Sequence, residues 1–239
     1  MSGALLVEGL TVQYGGVKPL DEVSLTFESD VCGLIGPNGA GKTTFFNALS
    51  GFAAPASGSL TMAGTDLLAM NPAKRARWGL RRTFQQEQVI HTLSAWDNIR
   101  LSSEHTGGGR TAVERAVDFV GLEGLDRAGS ALSMLERRLV EIAKTVCGEP
   151  RLILLDEPGA GLDAGETERL IGLIRRIPEE FGALVILVDH DMDLVSTVCG
   201  TTAVLDFGRV IAVGVTAEVL ASAEVRRAYL GTVELEETA

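Results

Sequence analysis

The chain has 239 residues, 46% of them hydrophobic and 22% charged; 21 Lys and Arg stand against 32 Asp and Glu, for a net charge of −11. That length fits one large domain, or one domain with a small lobe grown from it. A globule of this size removes roughly 70–75% of its unfolded surface from water and needs no disulfide or metal staple. The acidic balance argues against nucleic acid as a partner, because neutralising phosphates needs clustered Lys and Arg. The longest unbroken apolar run, Ala183 to Val188, falls far short of the ~20 residues of a membrane-spanning helix. The start, Met1-Ser2-Gly3-Ala4, has no basic stretch followed by an apolar core, so no secretory signal is expected. Cys32, Cys147 and Cys199 form no C-x-x-C pair and read as reduced, buried thiols of the cytosol. Any membrane role is then expected to come through a partner.

In chain order, Leu5 to Phe27 alternates apolar and polar residues around Gly15-Gly16, which predicts short antiparallel strands. Val31 to Ile35 is a compact apolar run, followed by a glycine cluster and by Thr43 to Leu49 at helical spacing. Ser59 to Met62 with Gly64 predicts a further hairpin, and Leu80 to Phe84 an apolar-leaning strand. From about Glu87 to Cys147 the pattern turns helical: Val113, Val117 and Val120, then Leu132, Leu135, Leu139, Ile142, Ala143 and Val146 recur at helical spacing. The glycines at 107–109 read as a flexible turn. Strand-like runs return at Leu152 to Leu155, Leu184 to Val188 and Ala203 to Leu205, with a helix over Glu166 to Ile177 closed by Pro178. Asp206-Phe207-Gly208 turns the last run into Arg209 to Val213. Apolar strands alternating with helices predict a parallel sheet covered on both faces. The expected fold class is α/β, a single domain over 1–239 with an antiparallel β edge on the N-terminal side and a helical lobe of about 87–147 inserted in it.

Gly36-Pro37-Asn38-Gly39-Ala40-Gly41-Lys42-Thr43 fits G-x-x-x-x-G-K-[ST], with a buried strand predicted before it and a helix after it. Glycines let the backbone curl so that several N–H groups aim at one anion, and the helix N-terminus adds its dipole. Lys42 supplies charge for β and γ phosphates, and the Thr43 hydroxyl is a ligand type suited to Mg²⁺. Thr44 follows as a contact to the α phosphate. A chain this long matches the pattern by accident on the order of once in a hundred, and the strand–loop–helix context makes an accident rarer still.

The apolar run Arg151 to Leu155 ends in Asp156-Glu157-Pro158. Carboxylates at a strand's carboxyl end sit where open α/β sheets place ligands. Asp156 suits a metal-side role, and Glu157 suits orienting and polarising an attacking water. Ala183 to Val188 repeats the layout and ends in Asp189-His190, so His190 is placed to sense a γ phosphate. Gln85, after its predicted strand, can reach the metal or the water. His91 and His105 lack such a position and read as structural.

Together these pieces resemble the ATP-binding subunit of an ABC transporter, over nearly the whole chain. In family order they are Tyr14, Gly36 to Thr44, Arg82-Thr83-Phe84-Gln85, Leu132-Ser133, Leu155-Asp156-Glu157-Pro158, Gly161-Leu162-Asp163 and His190. The resemblance implies a P-loop NTPase core of the ABC ATPase type that binds ATP with Mg²⁺ and hydrolyses it. It also implies a second ATP-binding subunit, alike or different, and transmembrane permease subunits that hold the chain, cytoplasmic, against the inner face of the membrane. It assigns Tyr14 to stacking on adenine, although a strand aromatic also serves as a cross-strand packing residue. It assigns the Gln85 loop to communication with the membrane subunits, and Gly161-Leu162-Asp163 to the dimer interface. Arg82-Thr83-Phe84-Gln85, Gly159 to Leu162 and the ending Val225 to Gly231 look most like the branched-chain amino-acid importer group. Urea and amide importers, lipopolysaccharide-exporter ATPases and a soluble ATP switch of the same fold remain open.

One segment departs from the family pattern. The signature L-S-G-G-Q reads Leu132-Ser133-Met134-Leu135-Glu136 here. In the family this segment caps the γ phosphate held by the opposite subunit, so Ser133 counts among the nucleotide-binding residues. Leu135 stands where glycine allows close backbone approach to an anion, and Glu136 adds negative charge. The expectation is a heterodimer in which ATP facing this segment turns over slowly, although Ser133 and the helix dipole alone also suffice for a contact.

Overall fold

The computed structural model describes residues 3–28, 30–106 and 108–236. Met1, Ser2 and Gly107 of the expected turn lie outside the described residues, as does the side chain of His105. Two strands open the chain, β1 (Leu5–Tyr14) and β2 (Val17–Phe27), then β3 (Val31–Ile35) and α1 (Lys42–Ser50). The hairpin β4 (Ser57–Met62) and β5 (Thr65–Asp66) follows, then α2 (Pro72–Trp78) and β6 (Leu80–Arg82). The helical stretch comprises α3 (Ala95–Thr106), α4 (Gly109–Val120) and α5 (Met134–Val146). The chain then alternates β7 (Leu152–Asp156), α6 (Ala164–Phe181), β8 (Leu184–Val188), α7 (Met192–Val198) and β9 (Thr201–Asp206). It closes with β10 (Arg209–Val215), α8 (Thr216–Ala221) and α9 (Ala223–Glu236).

The strands form two sheets. The antiparallel one runs β2-β1-β4-β5 and the other runs β10-β9-β3-β8-β7-β6. In the second, β9, β3, β8, β7 and β6 are parallel, and β10 lies antiparallel at the edge. Every residue of β3, β7 and β8 is buried, as in parallel strands covered on both faces. Successive side chains point to opposite faces. Leu152 and Leu154 therefore join the core shared with α1 and the antiparallel sheet, while Ile153 and Leu155 join the core shared with α5, α6 and α7. This order sets the carboxyl ends of β3, β8, β7 and β6 side by side, which is what positions the site.

Two local expectations are corrected. The predicted strand to Phe84 stops at Arg82, which leaves Gln85 on a loop. The helix expected to close at Pro178 continues to Phe181. Proline forgoes a hydrogen bond to the preceding turn. Here the last turn is held by Phe181, whose ring meets Phe119 edge-on at 5.0 Å, and by a Gly182 cap whose N–H donates to Pro178 O at 2.9 Å. Four helices carried no clear signal of their own: α2 and α7 span only seven residues and α8 six, and α9 is weakly amphipathic.

Candidate functional site

The glycine-rich loop leaves β3 and enters α1 at Gly41, which caps the helix with φ of 109°. A side chain at Gly41 would meet Pro19 O at 2.4 Å, and one at Gly36 would meet Leu205 O at 2.1 Å. Both positions therefore exclude any larger residue, since real contacts never come that close. The Lys42 ammonium folds back over the loop and donates to Gly36 O at 2.5 Å and Pro37 O at 3.0 Å. Burial pushes its pKa down, and the negative charges of Glu157 and Asp156 oppose that shift. Gly36, Pro37 and Ala40 are buried, and Asn38, Gly39 and Thr43 are exposed. Thr44 lies next to Thr43 on the first turn of α1, half-buried.

The acids arrive from β7. Asp156 ends the strand and is buried. Its N–H donates to Thr83 Oγ1 at 2.9 Å, and its Oδ2 accepts from Arg82 Nη2 at 2.9 Å. Glu157 takes a left-handed backbone, with φ of 50°, held by its N–H donating to Val188 O at 2.7 Å. Such a conformation in a non-glycine residue costs of order 1–3 kcal/mol and persists only where the surroundings over-determine it. It turns the carboxylate so that Oε1 meets His190 Nε2 at 2.9 Å and Oε2 accepts from Gln85 Nε2 at 3.2 Å. The ends of β6, β7 and β8 thus converge on one carboxylate.

Beside this carboxylate lies a cleft of about 200 Å³, lined by Asn38 to Thr44 of the loop and by Gln85, Glu157 and His190. The fold brings into one space the cation, the hydroxyl, the amide, the carboxylate and the imidazole that the sequence singled out. Tyr14 stands at the β1–β2 hairpin, paired with Val17 and 58% exposed, and is not among the cleft's lining residues. Nor is Ser133, which caps α5 within the helical stretch.

The substituted signature is tied to its own chain. Ser133 Oγ accepts from Glu136 N at 3.2 Å, and Ser133 N donates to Glu136 Oε2 at 2.7 Å, a capping box. The other Glu136 oxygen pairs with the Arg127 guanidinium. Arg127 and the Ser133 N–H hold the Glu136 carboxyl below its ordinary value. The negative charge that Glu136 adds here is therefore met within the chain. Met134 covers Gly161, where an added Cβ would lie 2.8 Å from its sulfur.

Several participants escaped the sequence reading. Asp189 is buried and accepts from Gly159 N at 3.2 Å and Asp191 N at 3.0 Å, which ties the segment after Glu157 to the segment that carries His190. Glu141 on α5 accepts from Gln88 N at 3.0 Å and pairs with Arg138 at 2.8 Å, and Lys144 donates to Gln88 O at 2.7 Å. Burial pushes the Glu141 carboxyl up and the Lys144 ammonium down. These contacts clip the Gln85 loop onto α5. Their only sequence signal is the charged residues inside the helix's apolar stripe. His91 lies near Glu87 on an exposed segment, outside the cleft.

Comparison with known proteins agrees with this geometry. The family model for the ABC transporter matches residues 20–160. The high-affinity branched-chain amino acid transport ATP-binding protein BraF of Pseudomonas aeruginosa is 32% identical over 95% of this chain and 97% of its own. Its counterpart LivG of Salmonella typhimurium is 33% identical over the same shares. The methionine import ATP-binding protein MetN 1 of Burkholderia orbicola is 34% identical over 93% of this chain and 68% of its own. Among solved structures, the ADP conformation of MJ1267, an ATP-binding cassette of an ABC transporter, superposes with a TM-score of 0.87 at 26% identity, covering 97% of this chain and 100% of that one. A strand end that presents a phosphate loop, two neighbouring strand ends that present acid and histidine, and a full-length likeness to transport ATPases lead to one assignment: the chain belongs to the ABC transporter family, as one of its ATP-binding, ATP-hydrolysing subunits.

Proposed function

We propose that this subunit powers an importer for branched-chain amino acids or related small amides or urea, as one nucleotide-binding domain with its helical lobe at about 87–147. The observation that carries the solute class is the match to BraF and LivG over 97% of their length, against 68% for the methionine relative. Transmembrane permease subunits would hold the chain at the inner membrane face; among the described residues no helix is long and apolar enough to cross a membrane.

For the chemistry, Lys42 and the loop amides of Gly39 to Thr43 bind the phosphates of ATP. Lys42 already gathers two carbonyls and lies close enough to Glu157 and Asp156 to feel their charge. Thr43, Gln85 and Asp156 offer hydroxyl, amide and carboxylate oxygens, a donor set that fits Mg²⁺, which prefers hard oxygen ligands and keeps several waters. Mg²⁺, when bound there, neutralises charge that shifts over the phosphoryl oxygens. Glu157 orients the attacking water and takes up its proton, and His190 fixes one carboxylate oxygen. Gln85 donates to the other oxygen at 3.2 Å, whose second lone pair is left for a water, and the Gln85 loop is where the permease would act. Tyr14 receives the base.

A second cassette would supply the signature that faces this chain's ATP. Ser133 would face the partner's ATP, with Met134 and Leu135 in place of the glycines, so that second site turns over slowly. ATPase assays of the chain alone and mixed with its partner subunit test this. Slow turnover alone and fast turnover in the mixture are expected; fast hydrolysis by the chain alone, abolished by Ser133→Ala, overturns the asymmetry.

A further inference from the structure

The pair Arg82 and Asp156 is a buried ionic contact between the ends of β6 and β7, with side chains only 5% and 6% exposed. Removing a buried pair from water costs about as much as its attraction returns, so such a pair is weak evidence of a stabilising purpose. The arginine is also committed at both Nη groups. Nη2 donates to Asp156 Oδ2 at 2.9 Å, and Nη1 donates to Asn47 Oδ1 at 2.7 Å and to Ser50 Oγ at 3.4 Å. Its plane lies over Phe46 at 5.4 Å and Phe84 at 4.9 Å. Among the described residues its Nε has no hydrogen-bond partner, so the contacts at Nη1 and Nη2 set its orientation.

Asn47 stands one turn after Thr43 on the same face of α1, because residues four apart on a helix are neighbours. The guanidinium therefore spans from the helix face that carries Thr43 to the strand end that carries Asp156. It occupies one oxygen of that carboxylate and leaves Oδ1. A lysine could meet one of these partners but not both, since only the planar fork presents donors in two fixed directions.

We propose that Arg82 is a positioning residue for the divalent cation of the ATPase reaction: it fixes the separation between Thr43 and Asp156 and aims Oδ1 of Asp156 at the metal. This rests on the reading of Asp156 as the metal-side carboxylate. Partners that orient a metal ligand affect metal affinity through the ligand, and their loss costs roughly 10- to 100-fold.

The test is binding of a non-hydrolysable ATP analogue by the full chain, by calorimetry, across a Mn²⁺ titration and again in EDTA. Arg82→Gln is expected to raise the Mn²⁺ concentration needed for tight binding by roughly 10- to 100-fold, while the metal-free affinity stays at the wild-type level. Arg82→Lys is expected to recover only part of the loss. In the double variant with Asp156→Asn the two losses should not add, since they act through one carboxylate. Wild-type Mn²⁺ dependence in Arg82→Gln, or losses that add in full, overturns the proposal. Should Arg82→Gln fail to fold, Asn47→Ala with Ser50→Ala cuts the other arm and keeps the buried charge; an unchanged Mn²⁺ dependence there overturns it equally. If Asp156→Asn alone leaves the Mn²⁺ dependence intact, the reading of Asp156 fails, an outcome distinct from failure at Arg82.

Discussion

The phosphate loop and the signature-like segment are both helix starts, the first a nucleotide loop and the second proposed to face the partner's ATP, and they differ in what surrounds them. Around the loop, polar groups from four strand ends meet each other: Lys42 holds loop carbonyls, and Glu157 is held by His190 and Gln85. At Ser133 the polar groups close on themselves. The hydroxyl and the Glu136 carboxylate satisfy each other's backbone N–H, Arg127 takes the remaining charge, and Met134 lies on Gly161. A site built from long-range partners stays poised for a ligand that bridges them. A self-capped helix start is finished without one, which is the physical content of the asymmetry proposed here.

The sharpest way to break this comparison is at Glu157. Replacing it with Gln is expected to lower turnover by roughly 100- to 10,000-fold, the range for a general base, with nucleotide binding kept; retained steady-state hydrolysis excludes Glu157 as the base. Lys42→Ala comes next. Losing a charged hydrogen-bond donor worth about 1.5–3 kcal/mol should weaken nucleotide binding by roughly 10- to 100-fold in a calorimetric titration. Wild-type affinity would remove the loop from the argument.

On the other side, Ser133→Ala should leave hydrolysis at this chain's own loop within about twofold in the mixed dimer, since in the proposed dimer that loop faces the partner's signature. It should cost α5 about 1 kcal/mol through the lost cap, read by urea unfolding. The smallest effect is at Glu141. Its carboxyl is raised in the folded chain by burial, so the fold binds that proton more tightly than the unfolded chain does. The associated stability is present below the ordinary carboxylate value and is lost as pH rises through the folded one. Unfolding of the wild type and Glu141→Gln across that window should shift the balance toward the variant as pH rises. A shift the other way would mean that Arg138 and Lys144 outweigh burial.

Much of the site was legible because its parts are local. Gly36 to Thr43 is one contiguous loop whose residue types follow from curling a backbone around an anion. Asp156-Glu157 and Asp189-His190 each follow an apolar run, the one-dimensional trace of a buried strand's carboxyl end. Ser133 and Glu136 sit three apart, the spacing of a capping box, so their mutual contact was also within reach of the sequence. Arg82 with Asn47 and Asp156, and Glu141 with Gln88, were not legible, because 35, 74 and 53 positions separate these partners. Pro178 misled for a related reason: a local helix breaker was outweighed by the packing of Phe181 on Phe119, an element far away in the chain.

Taken alone, the order of residues determined the phosphate loop, the alternation of strands and helices, and which side chains are candidates for the chemistry, since each follows from backbone conformation and burial over a few neighbouring residues. Tertiary structure alone decided that β6, β7, β8 and β3 lie side by side. It thereby decided that Gln85 and His190 share Glu157, that Arg82 spans from Asn47 to Asp156, and that Arg127 answers the charge of Glu136. Those pairings depend on strand order and helix packing, which gather residues that no local spacing brings together.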